Sequence, residues 1–464
     1  MKYALPILFA AFAVAASTPE DVTRDFRQTL AELVKADTTN PPGNEARAVA
    51  ILARRLKEEN IAYEIVDFGS DRQNVSQNVR QNLIARLKGD GTRNPLLLLA
   101  HVDVVGTKDQ NWSTPPHEVT EKDGFLYARG VADDLGMAVT NLEVFLRLKR
   151  EKVALKRDVI LAFTGAEESL GLGIRAVLEK RPELLDAEIA LNEGGGIWLN
   201  DAGNPYIVRP QLAEKIYRNF SLSATGETGH SSIPKKNNAV YKLARALDRL
   251  AHDEPERRLL PVTRAYFRDL AKIESGEMAR ALAAIGSSKG QIPKWALKVV
   301  EARPAVAVLL STTCVATMLS AGTEVNALAA TASANVNCRI LPDENVEQVQ
   351  ARLVKIVGDP EVTVTPLADA GGKGTSPLEG EVMSAIQDLA KEVYHGLPVV
   401  PEMASFSTDS RFLRERGVQA YGFNPIATYE KDASRWHGID ERIPVASIQP
   451  AIENMYRLVL KLAR

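Results

Sequence analysis

From Asn94 to Val105 the chain reads NPLLLLAHVDVV, and from Asp158 to Ser169 it reads DVILAFTGAEES. Unbroken apolar runs of this length leave neither face of a strand polar, so both faces must be covered by other elements. A third run, EIALNE at 188–193, repeats the pattern. Between and before these runs lie segments of helical period, DFRQTLAELVKA and EARAVAILARRLKEEN, with further helices expected at Gly136 to Arg150 and Leu170 to Lys180. Strands are expected in AYEIVDF and NLIARLKG as well. Interleaving of this kind predicts an α/β fold with a mostly parallel sheet between helices.

Near Leu212 the texture changes. KIYRNFSLSATGE alternates like a strand with one wetted face, a helix is expected over Ala239 to Ala251, and a strand–helix–strand series follows through LAATASANVNCRILP, Val346 to Val357 and EVTVTPL. One-sided alternation with two helices suggests a smaller α+β unit. The α/β texture returns near Gly371 with EVMSAIQDLAKEVYH, VQAYGF and VASIQPAIENMYRLVLKLA. The expected division is a catalytic domain over 18–211 and 370–464, interrupted by a lid domain over 212–369 that the helical stretch 254–303 elaborates.

The chain has 464 residues, 45 % of them hydrophobic, with a formal net charge of −2 and the two signs mixed along its length. That leaves ample material for a core and no basic stripe of the sort nucleic acid requires. Residues 1–17, MKYALPILFAAFAVAAS, combine a Lys, a short apolar stretch and small residues at the end, the pattern of a signal peptide. The apolar part is shorter than the roughly 20 residues that span a bilayer. Export to a periplasm or the exterior is therefore expected, with no membrane association after cleavage. Cys314 and Cys338 cannot make a disulfide framework or a thiolate cage. Buried free thiols are the default expectation, and a single bridge between neighbouring strands is the alternative open to an exported protein.

The polar residues that interrupt this pattern gather at strand ends. His101 and Asp103 are two apart and should share one face, where a carboxylate can orient an imidazole. Asp133 and Asp134 in YARGVADDLG precede a helix, and Asp134 is assigned the ordinary role of a cap. Glu167, Glu168 and Glu193 follow apolar strands, and open α/β sheets bind ligands outside the carboxyl ends of their strands. Five acids converging without a Lys would drive each other's pKa values upward. Divalent cations resolve the conflict, and zinc accepts both His nitrogen and carboxylate oxygen. Two such ions roughly 3.5–4 Å apart form a known hydrolytic arrangement. A glycosidase would need its carboxyls on opposite sides of a bond, roughly 5 Å or more apart, and would leave the histidines unused. No Gly-x-Ser-x-Gly elbow supports a serine nucleophile.

Taken in order, HVDVV, ARGVADD, TGAEES, LNEGGG, TGHSSIP and WHGIDERI resemble the cocatalytic-zinc metallopeptidase family of carboxypeptidase G2, aminoacylase-1, vacuolar carboxypeptidase S and succinyl-diaminopimelate desuccinylase. The resemblance runs from about Glu20 to the C-terminus. It implies a catalytic α/β domain with an inserted lid that dimerises, and two zinc ions per subunit, for which cobalt or manganese can substitute. Asp133 would bridge the ions, His101 and Glu193 would complete one, and Glu168 and His437 the other. Glu167 would be the general base that takes a proton from the attacking water and returns it to the leaving amine, and Asp103 would hold His101. In the lid, His230 would reach a neighbouring subunit's site, while Asn326 and Arg339 would clamp a substrate carboxylate, a task suited to the planar fork of Arg.

The sequence departs from the family pattern at Ala128, at Leu135 where a Lys is usual, and at His117 where an aromatic residue is common. His117, His252 and His395 match no motif, and Asp409 falls in a segment resembling the substrate-side loop. The expected function is hydrolysis of an amide next to an amino acid with a free α-carboxylate, in carboxypeptidase or N-acyl-amino-acid deacylase form. The alternatives from other classes are a catalytically silent, metal-binding peptide carrier and a structural dimeric scaffold.

Overall fold

The computed structural model describes residues 19–69, 80–367 and 371–464. The expected leader at 1–17 lies outside them. An eight-stranded sheet runs in the order Tyr63–Phe68, Arg80–Leu87, Val159–Thr164, Leu96–His101, Ile189–Asn192, Gln419–Gly422, Gln211–Glu214, Glu402–Ala404. Its four central strands are mutually parallel, and antiparallel pairings join the flanks. The apolar runs explain this centre. Leu96, Leu98, Ala100, Leu161 and Phe163 pack on one side with Phe26, Leu52, Phe145 and Ile452. Leu97, Leu99, Ile160 and Ala162 pack on the other with Ile174, Val177 and Leu413. The period of two thus sends alternate residues of one strand into two different cores. The helix Leu135–Arg150 is buried along nearly its whole surface, wedged between the sheet and the helices Pro19–Lys35 and Ile448–Ala463.

A separate antiparallel sheet runs Thr313–Ala321, Thr331–Ile340, Ile216–Thr225, Val362–Pro366. One face is covered by the helices Ala239–Ala251 and Val346–Val357 through Leu243, Ala246, Val349 and Leu353. This is the smaller α+β unit, inserted between Gln211–Glu214 and the last strands of the large sheet. Its strand Thr313–Ala321 lies at an edge and exposes Val315, Met318 and Leu319 at 61 %, 71 % and 68 %.

Three expectations are corrected. The helical stretch 254–303 does not elaborate the lid: the helices Pro261–Leu270, Gly276–Ser287 and Lys294–Val300 bury Phe267, Leu282, Ile285 and Val300 in the same core as the large sheet. Pro261–Leu270 packs on the edge strand Glu402–Ala404, Gly276–Ser287 packs on that helix and Lys294–Val300 on the next, a placement no local signal could specify. Cys314 and Cys338 are not free thiols. They stand directly opposite each other on adjacent strands, with Cα atoms 4.1 Å apart, and are bonded as a disulfide. The first long apolar strand ends at His101, so Asp103 lies beyond it. Among the described residues, no helix is long and apolar enough to cross a membrane.

Candidate active site

The site lies at the carboxyl edge of the parallel strands. His101 is the last residue of Leu96–His101 and pairs in register with Thr164, so the TGAEES turn starts beside it. Ala166 and Leu170 in that turn adopt φ of 55° and 68°, a left-handed conformation uncommon for residues with a side chain. Asp103 fixes the turn: its Oδ1 accepts from the Glu167 N–H at 3.0 Å and its Oδ2 from the Glu168 N–H at 3.2 Å. The Asn40 amide donates to the same Oδ2 at 2.8 Å. The orientation of His101 therefore differs from expectation. His101 Nδ1 meets the backbone carbonyl of Asp103 at 2.9 Å, whereas the Asp103 carboxylate is 3.6 Å away and acts through charge. Asp134 also differs. It occupies the N-cap position of Leu135–Arg150 but makes no capping bond, and its Oδ2 accepts from the His101 N–H at 3.3 Å.

Asp133 stands at the centre. Its Oδ1 lies 3.1 Å from His101 Nε2, and its Oδ2 lies 3.1 Å from His437 Nε2. Glu193 approaches His101 Nε2 at 3.7 Å, and Glu168 approaches His437 Nε2 at 3.0 Å. Two groups result, His101–Asp133–Glu193 and Asp133–Glu168–His437, each with its ligand atoms within 4.8 Å of one another. Each offers one imidazole and two carboxylates, and they share Asp133. That donor set fits a pair of divalent cations.

Sequence reasoning missed what holds Asp133 and His437 together. Glu441 is fully buried, four residues after His437. Its Oε2 accepts from Arg129 Nη1 at 2.7 Å and the Gly130 N–H at 3.0 Å. Its Oε1 accepts from the N–H groups of Ala132 and Asp133 at 2.8 and 3.0 Å. Arg129 also donates to the Gly438 carbonyl at 2.9 Å. Both residues lie inside the quoted motifs, so the signal was a buried pair split between ARGVADD and WHGIDERI.

The electrostatics record the crowding. Burial, then the charges of Glu193 and neighbouring acids, hold the Glu167 carboxyl well above its ordinary range. Burial pushes Glu168 and Glu193 each up to about 7 despite the nearby imidazoles. Burial also raises Asp409, to about 6, although Thr164 donates to it at 2.8 Å. Asp133 moves the other way, because bonds from His101 and His437 outweigh its burial. His437 rises to about 10 through its bonds to Asp133 and Glu168. His101 rises as well, burial being overcome by Glu193 and the two aspartates. Protons here occupy positions that dications would compete for.

Glu167, Glu168, Glu193 and His437 line a cavity of about 300 Å³. Its other wall is apolar, with Ile197, Phe406, Ile426 and the tilted pair Trp198–Trp436, whose ring centroids are 5.9 Å apart. The lid residues stand elsewhere. His230 is exposed on a short ribbon opposite Ala327, and the Ser231 N–H bonds the Asn326 carbonyl at 2.9 Å. Arg339 sits on Thr331–Ile340, one of the two inner strands of the lid sheet, stacked 4.8 Å over Tyr217. None of the three lines this cavity. Of the unmatched histidines, His117 lies 3.5 Å from Asp37, and exposed His252 bonds the Asp248 carbonyl of its own helix at 2.8 Å.

An open α/β sheet with an inserted lid and two histidine–carboxylate groups sharing one aspartate defines a dinuclear metallohydrolase of the peptidase and amidohydrolase class. The sequence profile described as Peptidase family M20/M25/M40 matches residues 97–461, and the chain belongs to that family. The human N-fatty-acyl-amino acid synthase/hydrolase PM20D1 is 27 % identical over 80 % of this chain and 74 % of its own. A probable carboxypeptidase S-like 2 from Dictyostelium discoideum is 25 % identical over 82 % and 74 %. Rat aminoacylase-1A is 25 % identical over 94 % of both chains. Among solved structures, the M20 family metallo-carboxypeptidase Sso-CP2 from Sulfolobus solfataricus superposes with a TM-score of 0.70 at 19 % identity, covering 94 % of this chain and 99 % of that one.

Proposed function

We propose that the protein is a di-zinc hydrolase that cleaves the amide joining an acyl or peptidyl group to an amino acid with a free α-carboxylate. The observation that carries this reading is Asp133, whose two oxygens each face a different imidazole at 3.1 Å, with a glutamate beside each imidazole. His101, Asp133 and Glu193 would hold one ion, and Asp133, Glu168 and His437 the other. When bound, the pair supplies positive charge that activates water and polarises the amide carbonyl. Glu167 lines the cavity next to Glu168, and its raised affinity for a proton suits a group that takes one from the attacking water and delivers it to the leaving amine. Asp103 keeps Glu167 in place through its backbone N–H.

The apolar wall formed by Ile197, Phe406, Ile426 and the Trp198–Trp436 pair suits an apolar acyl group or side chain on the scissile amide's acyl side. The names of the human and rat relatives agree with an N-acyl amino acid, and that of the Dictyostelium relative with a peptide. Dimerisation through the lid is supported by the apolar edge strand Thr313–Ala321. In such a dimer His230 would serve the partner's site, with Asn326 and Arg339 on the substrate carboxylate. Export is supported by the leader-like N-terminus and by the disulfide.

The test is a panel of N-acyl amino acids and dipeptides, assayed with metal, after chelation and after zinc is restored. Hydrolysis that disappears with chelation and returns with zinc is expected. Metal-replete protein inert on the whole panel would point instead to a silent carrier. Elemental analysis of Asp133→Ala should show both ions lost, because both groups share that residue.

A further inference from the structure

Glu45 is the first residue of the helix Glu45–Glu58, and its side chain is completely buried. An acid in the first turn of a helix ordinarily serves the helix itself, by facing the positive end of its dipole. This one reaches elsewhere. Its Oε1 accepts from the Ala166 N–H of the TGAEES turn at 3.2 Å, across 121 residues of chain. Both oxygens also accept from Arg80, Oε2 from Nε at 3.0 Å and Oε1 from Nη2. The Arg80 guanidinium stacks in turn 5.1 Å from the Phe68 ring. The approach is close: a Cβ on Gly165 would come within 2.6 Å of Glu45 Cγ and 2.9 Å of Phe68 Cζ, so glycine is what lets the acid reach the turn.

Glu45 is one of three side chains that hold this turn. Asn82 Oδ1 accepts from the Gly165 N–H at 3.1 Å, while its amide donates to the carbonyls of Val66 and Gly173 at 3.2 and 3.1 Å. With the two bonds to Asp103, the successive N–H groups of Gly165, Ala166, Glu167 and Glu168 all end on oxygens of fully buried side chains. Successive N–H groups face anions in this way where the backbone alternates between right- and left-handed conformations. Ala166, at φ 55° and ψ 31°, is a left-handed member, and it directly precedes Glu167. A residue with a side chain holds that conformation where its surroundings impose it. Stability does not explain the choice of an acid at position 45. Apolar residues of similar volume often serve a core as well as a buried ion pair does, but they cannot accept from Ala166.

We propose that Glu45 is a positioning residue for catalysis: by accepting from the Ala166 N–H it holds that residue left-handed and so aims the Glu167 carboxyl into the cavity. Glu45 belongs to neither ligand group, and Glu168 keeps its own bond to Asp103, so the loss of Glu45 acts on rate and not on metal content. The inference rests on the reading of Glu167 as the proton carrier and adds the residue that sets its direction.

The test is Glu45→Ala, assayed on N-acetyl-leucine with zinc in excess and normalised to folded protein. Misplacing a reacting group by about 1 Å costs about 10²-fold, so kcat should fall roughly tenfold to a hundredfold while KM stays within about twofold and metal content is unchanged. Adding Ala166→Gly should recover most of the lost kcat, because glycine takes a left-handed φ unaided. A purely structural acid would show no such rescue. In hydrogen exchange, the Ala166 and Glu167 amides should lose protection in Glu45→Ala while those of the lid strand Thr331–Ile340 keep theirs. A kcat within about twofold of wild type, a loss accounted for by missing metal, no rescue by glycine, or protection lost evenly over the chain would overturn the proposal. Exchange needs no turnover, so the local loss in a protein inert on every substrate would count against the hydrolase reading alone. If Glu45→Ala does not fold, Glu45→Asp keeps a carboxylate for Arg80 but is a methylene too short for Ala166, and the same results are expected of it.

Discussion

Arg129 and Glu441 meet across 2.7 Å with both side chains essentially out of solvent, and each also grips the backbone of the other's loop. The pair ties the loop carrying Asp133 to the loop carrying His437. Arg129→Met would leave the Glu441 carboxylate buried with backbone donors alone. Breaking a buried pair from one side costs about 3–5 kcal/mol. The expected result is a loss of that size in denaturant unfolding, together with weakened metal retention on dialysis. Unchanged stability and metal content would remove the pair from the support of the site.

Glu167→Gln should keep its metal yet turn over slowly. Glu167 belongs to neither three-residue ligand group, and removing a proton shuttle forfeits about 10²–10⁴-fold in rate. The check is kcat on an N-acyl amino acid beside elemental analysis of the same sample. A variant retaining near-wild-type kcat would eliminate Glu167 as the shuttle.

Metal uptake should depend on pH with a definite sign. In the metal-free protein Glu168 and Glu193 hold protons up to about pH 7, against an ordinary 4.5, and His437 holds one up to about 10. Ligation requires these groups deprotonated, so apparent affinity should rise from pH 6 to pH 8 with protons released on binding. The same glutamates bind more protons folded than unfolded between 4.5 and about 7. Their contribution to metal-free stability should therefore fall as pH rises through that window and level off above it. Calorimetry in buffers of different ionisation enthalpy measures the released protons, and a flat affinity across this range would contradict the assignment.

Reducing Cys314–Cys338 should destabilise the lid. The bond closes a 24-residue separation, and the chain-entropy model gives about 3 kcal/mol for a loop of this order. Denaturant curves with and without reductant, and for the double Cys→Ser variant, should agree on that loss.

Local pattern made part of the site legible. Apolar runs ended in His101, Glu167, Glu168 and Glu193, and the large sheet brings these side chains to one edge. Asp133 was legible as one of the converging acids, its bridging role and His437 came from motif resemblance, and the fold sets both against that edge. Illegible were the second contacts. His101 takes the Asp103 backbone carbonyl rather than its carboxylate, and Asp134 accepts from the His101 backbone instead of capping its own helix. Those choices depend on distances of a few tenths of an ångström between separate segments.

By itself the sequence determined the faces: a strand apolar on both sides must be sandwiched, and acids at its end must share the crevice beyond it. Only the tertiary structure decided the partners. Arg129 and Glu441, Cys314 and Cys338, and the helices of 261–300 with their core are joined across turns or long stretches of chain. Helical or strand period fixes which way a side chain faces, but not which distant surface will close over it.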